Sequence, residues 1–262
     1  LVAPIVRRPD PVPCPNCAIG EWDMCRNGRF TEAGIRGLDG YAAERFALPA
    51  RFGVKVGADL GILAVLVEPA SVVAKAWEHI VHIGRRALWE PTRVLVTGAG
   101  PIGLLATLFA IRHSDEVHVL DLVTDGPKPD LVRDLGATYH HGGLTEIESG
   151  IDVVVECTGA AELVGAVMGR TGPNGIVCLT GVTTAGRQMV TSDLARELVL
   201  ENDAVFGTVN ANRRHYEEAA RVLAETDRSW LERVIHRRVP LDDWREAYDR
   251  RPDDVKTVIR FG

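Results

Sequence analysis

The stretch from Arg93 to Leu105, RVLVTGAGPIGLL, decides the fold. Its first five residues form an apolar run without alternation, the pattern of a strand covered on both faces. Gly98-Ala99-Gly100-Pro101-Ile102-Gly103 follows at once and matches GxGxxG, and Ile102 to His113 continues with helical character. A glycine motif leaving a strand and opening a helix is specific for a dinucleotide cradle. Gly98 permits the tight turn, Gly100 lets the backbone approach a pyrophosphate, and Gly103 lets helix and strand pack closely. Pro101 and Ile102 begin the helix, whose unpaired N–H groups point at the anion. The competing account is a purely structural turn in a nucleotide-free α/β protein.

Downstream, Glu116 to Leu120 is a second strand ending at Asp121, 21 residues beyond Gly100. A carboxylate there takes the adenosine ribose hydroxyls. Asp121 favours NAD over NADP, because it repels a 2′-phosphate and Leu122 and Val123 bring no cation. Lys128 and Arg133 are the residues that would reverse this preference. A short helix over Asp130 to Leu135 closes at Gly136. The strand Ile151 to Glu156 leads into Cys157-Thr158-Gly159 on the same sheet edge, placing Thr158 near the cofactor and Cys157 in the crevice wall. The pattern continues with a helix over 160–168, a strand over 175–180 containing buried Cys178, a helix over 194–200, a strand over 204–206 and a helix over 213–223. Apolar runs alternating with helices specify an α/β fold with a doubly wound parallel sheet. The tail reads β-α-β, with Leu231 to Ile235, Leu241 to Tyr248 and Val255 to Phe261.

Upstream, residues 1 to 60 are rich in Gly, Pro and Cys and read as strands and loops. Glu68 to Ile83 then carries Val72, Val73, Ala76, Trp77 and Ile80 at helical spacing. The expected organisation is 1–75 as a β-rich domain, 76–215 as the nucleotide domain, and 216–262 as a return to the first.

Composition narrows the function classes. The 262 residues carry 30 basic and 36 acidic side chains, a net charge of −6, which gives no support to binding nucleic acid or an anionic membrane. The longest apolar candidate, Ile102 to Ile111, falls well short of the roughly 18 residues of a membrane span. The first ten residues carry charges and prolines in place of a secretory signal. Five cysteines do not make a disulfide scaffold, and the expected compartment is the cytoplasm. The chain begins at Leu1, and LVAPIV reads as a strand already under way, so an N-terminally shortened or processed protein is expected. Cys14-x2-Cys17-x7-Cys25 suits a zinc knuckle but is one ligand short of a closed tetrahedral site. Either Asp10 or Asp23 completes it, or the loop is metal-free.

Several segments together resemble the zinc-containing medium-chain dehydrogenase/reductase family, and most closely its glucose dehydrogenase branch. They are Pro13 to Cys25, ending in GEWDMC; Thr31 to Gly40 (TEAGIRGLDG); Leu66 to Lys75 (LVEPASVVAK); Val96 to Leu105; Gly207 to His215 (GTVNANRRH); and Arg251 to Lys256 (RPDDVK). The resemblance spans essentially the whole chain, and the TEAGIRGLDG and VNANRRH segments point to this branch most narrowly. It implies a Rossmann-type domain inserted in a GroES-like β-rich catalytic domain, a nicotinamide cofactor (NAD or NADP), zinc, and a homo-oligomer in the full-length form. The implied reaction oxidises a glucose-like aldose at the anomeric hydroxyl by hydride transfer. Another polyol or alcohol dehydrogenase of the same family, a catalytically silent NAD(P)-binding fragment, and a non-enzymatic interaction protein are the alternatives.

By the same resemblance Glu32 contacts the sugar, Glu68 lies at the catalytic zinc as ligand or water partner, and Asn210 sits between nicotinamide and substrate. Cys14, Cys17 and Cys25 match three of the four structural-zinc cysteines, the first position being Pro11. The family's catalytic cysteine and Gly-His-Glu segment precede this lobe, whereas residues 1 to 13 contain no Cys, His or Glu. The expectation is therefore that the primary catalytic-zinc ligands are missing from this chain, and the eight histidines supply no replacement set.

Overall fold

The apolar runs of the middle of the chain become one six-stranded parallel sheet in a computed structural model that describes residues 1–182, 192–249, 251 and 253–261. We number its strands β1 (Arg93–Thr97), β2 (Glu116–Leu120), β3 (Thr138–His140), β4 (Ile151–Glu156), β5 (Thr171–Leu179) and β6 (Ala204–Gly207). Their spatial order is β3-β2-β1-β4-β5-β6, all pairs parallel. The order reverses between β1 and β4, where the crevice of a doubly wound sheet lies. Val94, Leu95, Val96, Val153, Val154 and Val155 are fully buried, which explains the lack of alternation in both central strands.

The helices are α1 (Val67–Gly84), α2 (Pro101–Ala110), α3 (Pro127–Asp134), α4 (Ala161–Met168), α5 (Ser192–Leu200) and α6 (Arg213–Glu225). With the 3₁₀ turns of Ala58–Leu66 before it, α1 completes a 27-residue helical stretch long and apolar enough to cross a membrane. This corrects the expectation that no stretch reaches that length; two thirds of its most apolar window is buried, as in a core helix. The apolar run is broken up in the sequence by Glu68, Pro69 and Lys75, which the helix carries without interruption.

Two compact units result: Leu1–Lys75 with Val209–Gly262, and Ala76–Thr208. The expected second boundary at 215 therefore moves back to Thr208. The reason is local, since Asn210 and Asn212 hydrogen-bond to Glu32, Glu21 and Asp23 of the first unit. That unit is β-rich: Val2–Pro4 pairs antiparallel with Gly53–Lys55, Arg7–Arg8, Thr31–Ala33 and Gly37–Leu38 form a three-stranded sheet, and Arg237–Pro240 runs parallel to Thr257–Arg260.

Three elements differ from the sequence expectation. Leu231 to Ile235 is not a strand; Arg228–Val234 is a helix, started by the Asp227 side chain accepting from the Ser229 N–H at 2.7 Å. The strand ending at Leu179 begins at Thr171 because an irregularity between Thr171 and Ile176 carries pairing past Gly175. β3 was not anticipated, as Thr138-Tyr139-His140 has no apolar run to announce it.

At Gly103, a Cβ would stand 1.7 Å from the Gly98 carbonyl oxygen. Gly103→Ala is therefore expected to push α2 off β1 and to destabilise the protein by about 1–3 kcal/mol or more. Denaturant unfolding of the variant measures this directly.

Candidate functional site

Within the second unit, β1 delivers the glycine turn to the carboxyl edge of the sheet. Gly98, at φ +88°, donates its N–H to the Leu120 carbonyl at 2.7 Å, and a Cβ on it would press on the Thr158 methyl at 3.0 Å. Gly100 is the N-cap of α2, with no side chain capping the helix, and a Cβ built on it meets nothing within 4 Å. Pro101 fills the first helical position, where a missing N–H costs nothing. The helix mouth therefore presents unpaired backbone donors to open space, as an anion site requires.

Asp121 stands at the end of β2 beside this turn. Its Oδ2 accepts from the Ala99 N–H at 2.5 Å and its Oδ1 from the Val123 N–H at 3.1 Å. The carboxylate thus sits between the glycine turn and the loop after β2, the strand end at which dinucleotide-binding folds carry a ribose-binding carboxylate. Arg133 pairs with Asp130 at 3.2 Å. Thr158, exposed at the end of β4, accepts at Oγ1 from the Ala160 N–H at 3.0 Å. Burial pushes the Cys157 thiol up to about 12 and raises that of Cys178 as well, so neither is a thiolate near neutrality. The open cradle, the uncapped helix and the placed carboxylate fit a nicotinamide dinucleotide.

In the first unit, Glu32 and Asn210, 178 residues apart in sequence, meet directly. Asn210 Nδ2 donates to Glu32 Oε1 at 2.5 Å from a backbone held at φ +65°. Arg7, directly opposite Glu32 on the neighbouring antiparallel strand, donates through Nε to the same oxygen at 3.0 Å and lies 3.0 Å away through Nη2. Among the described residues Glu32 Oε2 receives no donor. The Asn210 loop is tied down by a buried ion pair. Lys75 Nζ lies 2.8 Å from Asp23 Oδ2 and donates to the Val209 carbonyl at 3.1 Å, while Asn212 Nδ2 donates to Asp23 Oδ1 at 2.9 Å.

Glu68, in the first turn of α1, stands apart from this pair. Solvent reaches it, yet the protein packed around it raises its carboxyl pKa, with Lys256 opposing the shift. Its carboxylate makes no hydrogen bond or ion pair among the described residues. The one described group of three or more metal-ligating side chains is Cys14, Cys17 and Cys25, whose sulfurs lie within 4.8 Å of one another. A catalytic zinc at Glu68 is therefore given no companion ligands by the described residues. The cysteine group fits three thiolate ligands of a structural zinc. Cys14 already accepts N–H bonds from Arg26 at 3.4 Å and Cys17 at 3.5 Å, and these lower its pKa to about 6. Neither carboxylate expected as a fourth ligand is free for it: Asp10 binds Val12, Asn27 and Arg29, and Asp23 binds Lys75 and Asn212.

Sequence reasoning missed Arg7 and the Lys75–Asp23 pair. The available signal was Lys75 itself, a charged residue on the apolar stripe of α1 between Val72 and Ala76.

Comparison with known proteins agrees with this geometry. The family model described as glucose dehydrogenase C-terminus matches residues 61–261. Glucose 1-dehydrogenase of Methanocella arvoryzae is 36% identical over 274 residues, covering 100% of this chain and 76% of that protein. Glucose 1-dehydrogenase 1 of Caldivirga maquilingensis is 39% identical over 269 residues, covering 100% of this chain and 75% of that protein. The crystal structure of Haloferax mediterranei glucose dehydrogenase in complex with NADP, Zn and gluconolactone superposes with a TM-score of 0.92 at 28% identity, covering 100% of this chain and 76% of that one. The chain thus spans about three quarters of the length of these relatives, and it belongs to the glucose dehydrogenase branch of the medium-chain dehydrogenase/reductase family.

Proposed function

We propose that this chain binds a nicotinamide dinucleotide on the Gly98–Gly103 turn and serves the oxidation of a glucose-like aldose at its anomeric hydroxyl. The observation that carries the nucleotide half is the uncapped mouth of α2 over Gly100, where an added Cβ meets only open space. The sugar half is supported by the Glu32–Asn210 pair and by the relatives named above. Bound in the cradle, the cofactor supplies the hydride acceptor. The residues of this chain bind and orient: Asp121 receives the ribose hydroxyls, Thr158 borders the nicotinamide half, and Glu32 and Asn210 take sugar hydroxyls. Arg7 holds the Glu32 carboxylate through Nε and Nη2, both 3.0 Å from Oε1. Three thiolates, Cys14, Cys17 and Cys25, are the candidate ligands of a structural zinc.

The test is direct binding. The chain should quench or enhance NADH fluorescence on titration, and saturation-transfer NMR should detect gluconolactone on the NADH-loaded protein. Glu32→Gln and Asn210→Ala should abolish the lactone signal and keep NADH binding. A lactone signal unchanged in both variants contradicts the sugar assignment.

We further propose NAD in preference to NADP, since a carboxylate at Asp121 opposes a 2′-phosphate. Asp121→Ser should shift the NADPH-to-NADH affinity ratio toward NADPH by about tenfold, equivalent to about 1.4 kcal/mol. An unchanged ratio would place nucleotide discrimination elsewhere. A second reading, a chain that binds NAD(P) without turning over, is favoured by the lack of companion ligands around Glu68 among the described residues. Cofactor binding with no turnover of any aldose at saturating zinc would establish it.

A further inference from the structure

The last residue of β4, Glu156, is a fully buried acidic side chain that directly follows the apolar run Val153-Val154-Val155. Among the described residues, every hydrogen bond its carboxyl group makes is one that it accepts. Its Oε1 accepts from Thr97 Oγ1 at 3.3 Å, from the Thr158 N–H at 2.7 Å and from the Thr158 hydroxyl, and the Gly159 N–H is shared between its two oxygens at 3.1 Å each. Among the described residues no cation pairs with it. Its main-chain carbonyl accepts from the Thr180 N–H at 2.9 Å, the Thr180 hydroxyl at 2.8 Å and the Gly181 N–H at 3.1 Å. One residue therefore ties together the carboxyl ends of β1, β4 and β5, across the point where the strand order reverses.

A buried acidic side chain without a counter-ion is costly, and that cost is offset only where its hydrogen bonds are numerous. Here they fix a single group. Thr158 is held through both its N–H and its hydroxyl, and its methyl packs against the Gly98 turn. The half of the sheet built from β1, β2 and β3 receives the adenosine nucleotide at Asp121, and the half built from β4, β5 and β6 receives the other. Thr158 belongs to the second.

We propose that Glu156 is a positioning residue of the dinucleotide site, holding Thr158 in place at the switch-point crevice for the nicotinamide half of the cofactor. The assignment rests on the nucleotide-binding function proposed above. Glutamine keeps only one of the two acceptors: with its oxygen in the place of Oε1, its amide nitrogen sets a donor against the Gly159 N–H that the two carboxylate oxygens share.

The experiment measures the affinity of the 262-residue chain for NADH, NADPH and AMP in the unaltered protein, in Glu156→Gln and in Thr158→Val. Both variants should lose NADH or NADPH affinity by about tenfold while AMP affinity stays within about twofold, and the double variant should be no weaker than the worse single one. A residue that merely props up the sheet edge would not produce that split. NADH and NADPH affinities within about twofold of the unaltered protein in both variants overturn the assignment, as does a parallel loss of AMP binding. If Glu156→Gln does not fold, Glu156→Asp, which keeps a carboxylate but shortens its reach to Thr158, takes its place with the same two outcomes. An unaltered chain that binds AMP but neither dinucleotide overturns the proposed function, and this assignment falls with it.

Discussion

Gly100→Ala is expected to leave the fold intact while weakening NADH and NADPH binding by at least about tenfold, or about 1.4 kcal/mol. The fold should survive because Gly100 has φ −76°, which alanine adopts readily, and its added methyl meets nothing within 4 Å. Binding should suffer because that open space is where a diphosphate must approach the backbone donors of α2. Gly103→Ala is the informative contrast: its methyl collides with the Gly98 carbonyl, so it loses stability first. Two alanines three residues apart should thus separate ligand approach from chain packing. Equal NADH affinity in Gly100→Ala and the unaltered protein would mean that the nucleotide lies elsewhere.

The largest loss of stability is expected from Lys75→Met, about 3–5 kcal/mol, because removing one partner of a buried ion pair strands the other. Lys75 is 2% exposed and Asp23 4% exposed, so water cannot replace the lost ammonium. Burial alone pushes the Asp23 carboxyl up, and Lys75, with His215 and Asn212, outweighs it and holds the carboxyl below its ordinary range. A lowered native pKa contributes stability that is fully present above the unfolded value of about 3.9 and is lost as pH falls through the native one. Urea unfolding should therefore show the difference between wild type and Lys75→Met narrowing on acidification. The double variant Asp23→Asn with Lys75→Met should recover part of the loss, since it removes the stranded charge. A loss below about 1 kcal/mol would show that the pair is solvated, contrary to its burial.

The legibility of the sequence followed the physics of each element. Strands β1, β2 and β4 were evident because burial on both faces demands continuous apolar runs, and the glycine motif was evident because each glycine answers a separate steric need. β3 and the Arg228–Val234 helix were not, since one is three residues long and the other is set by an Asp227 cap and tertiary packing rather than by its own periodicity. At the site, Glu32 and Asn210 came from resemblance alone; spacing gives no hint that residues 178 apart share a hydrogen bond. Arg7 was hidden because strand pairing, not sequence proximity, brings it opposite Glu32. Glu156 ends a readable strand, but only the structure brings donors from Thr97, Thr158 and Gly159 together on its carboxyl group.

The central claim is that bare amides at the start of α2 receive the diphosphate of a nicotinamide dinucleotide. A crystal structure of the chain with NADH tests it most directly. Diphosphate oxygens within hydrogen-bonding distance of the Ile102 and Gly103 N–H groups, with the adenosine ribose on Asp121, are the predicted result. A dinucleotide bound away from the Gly98–Gly103 turn would contradict the account.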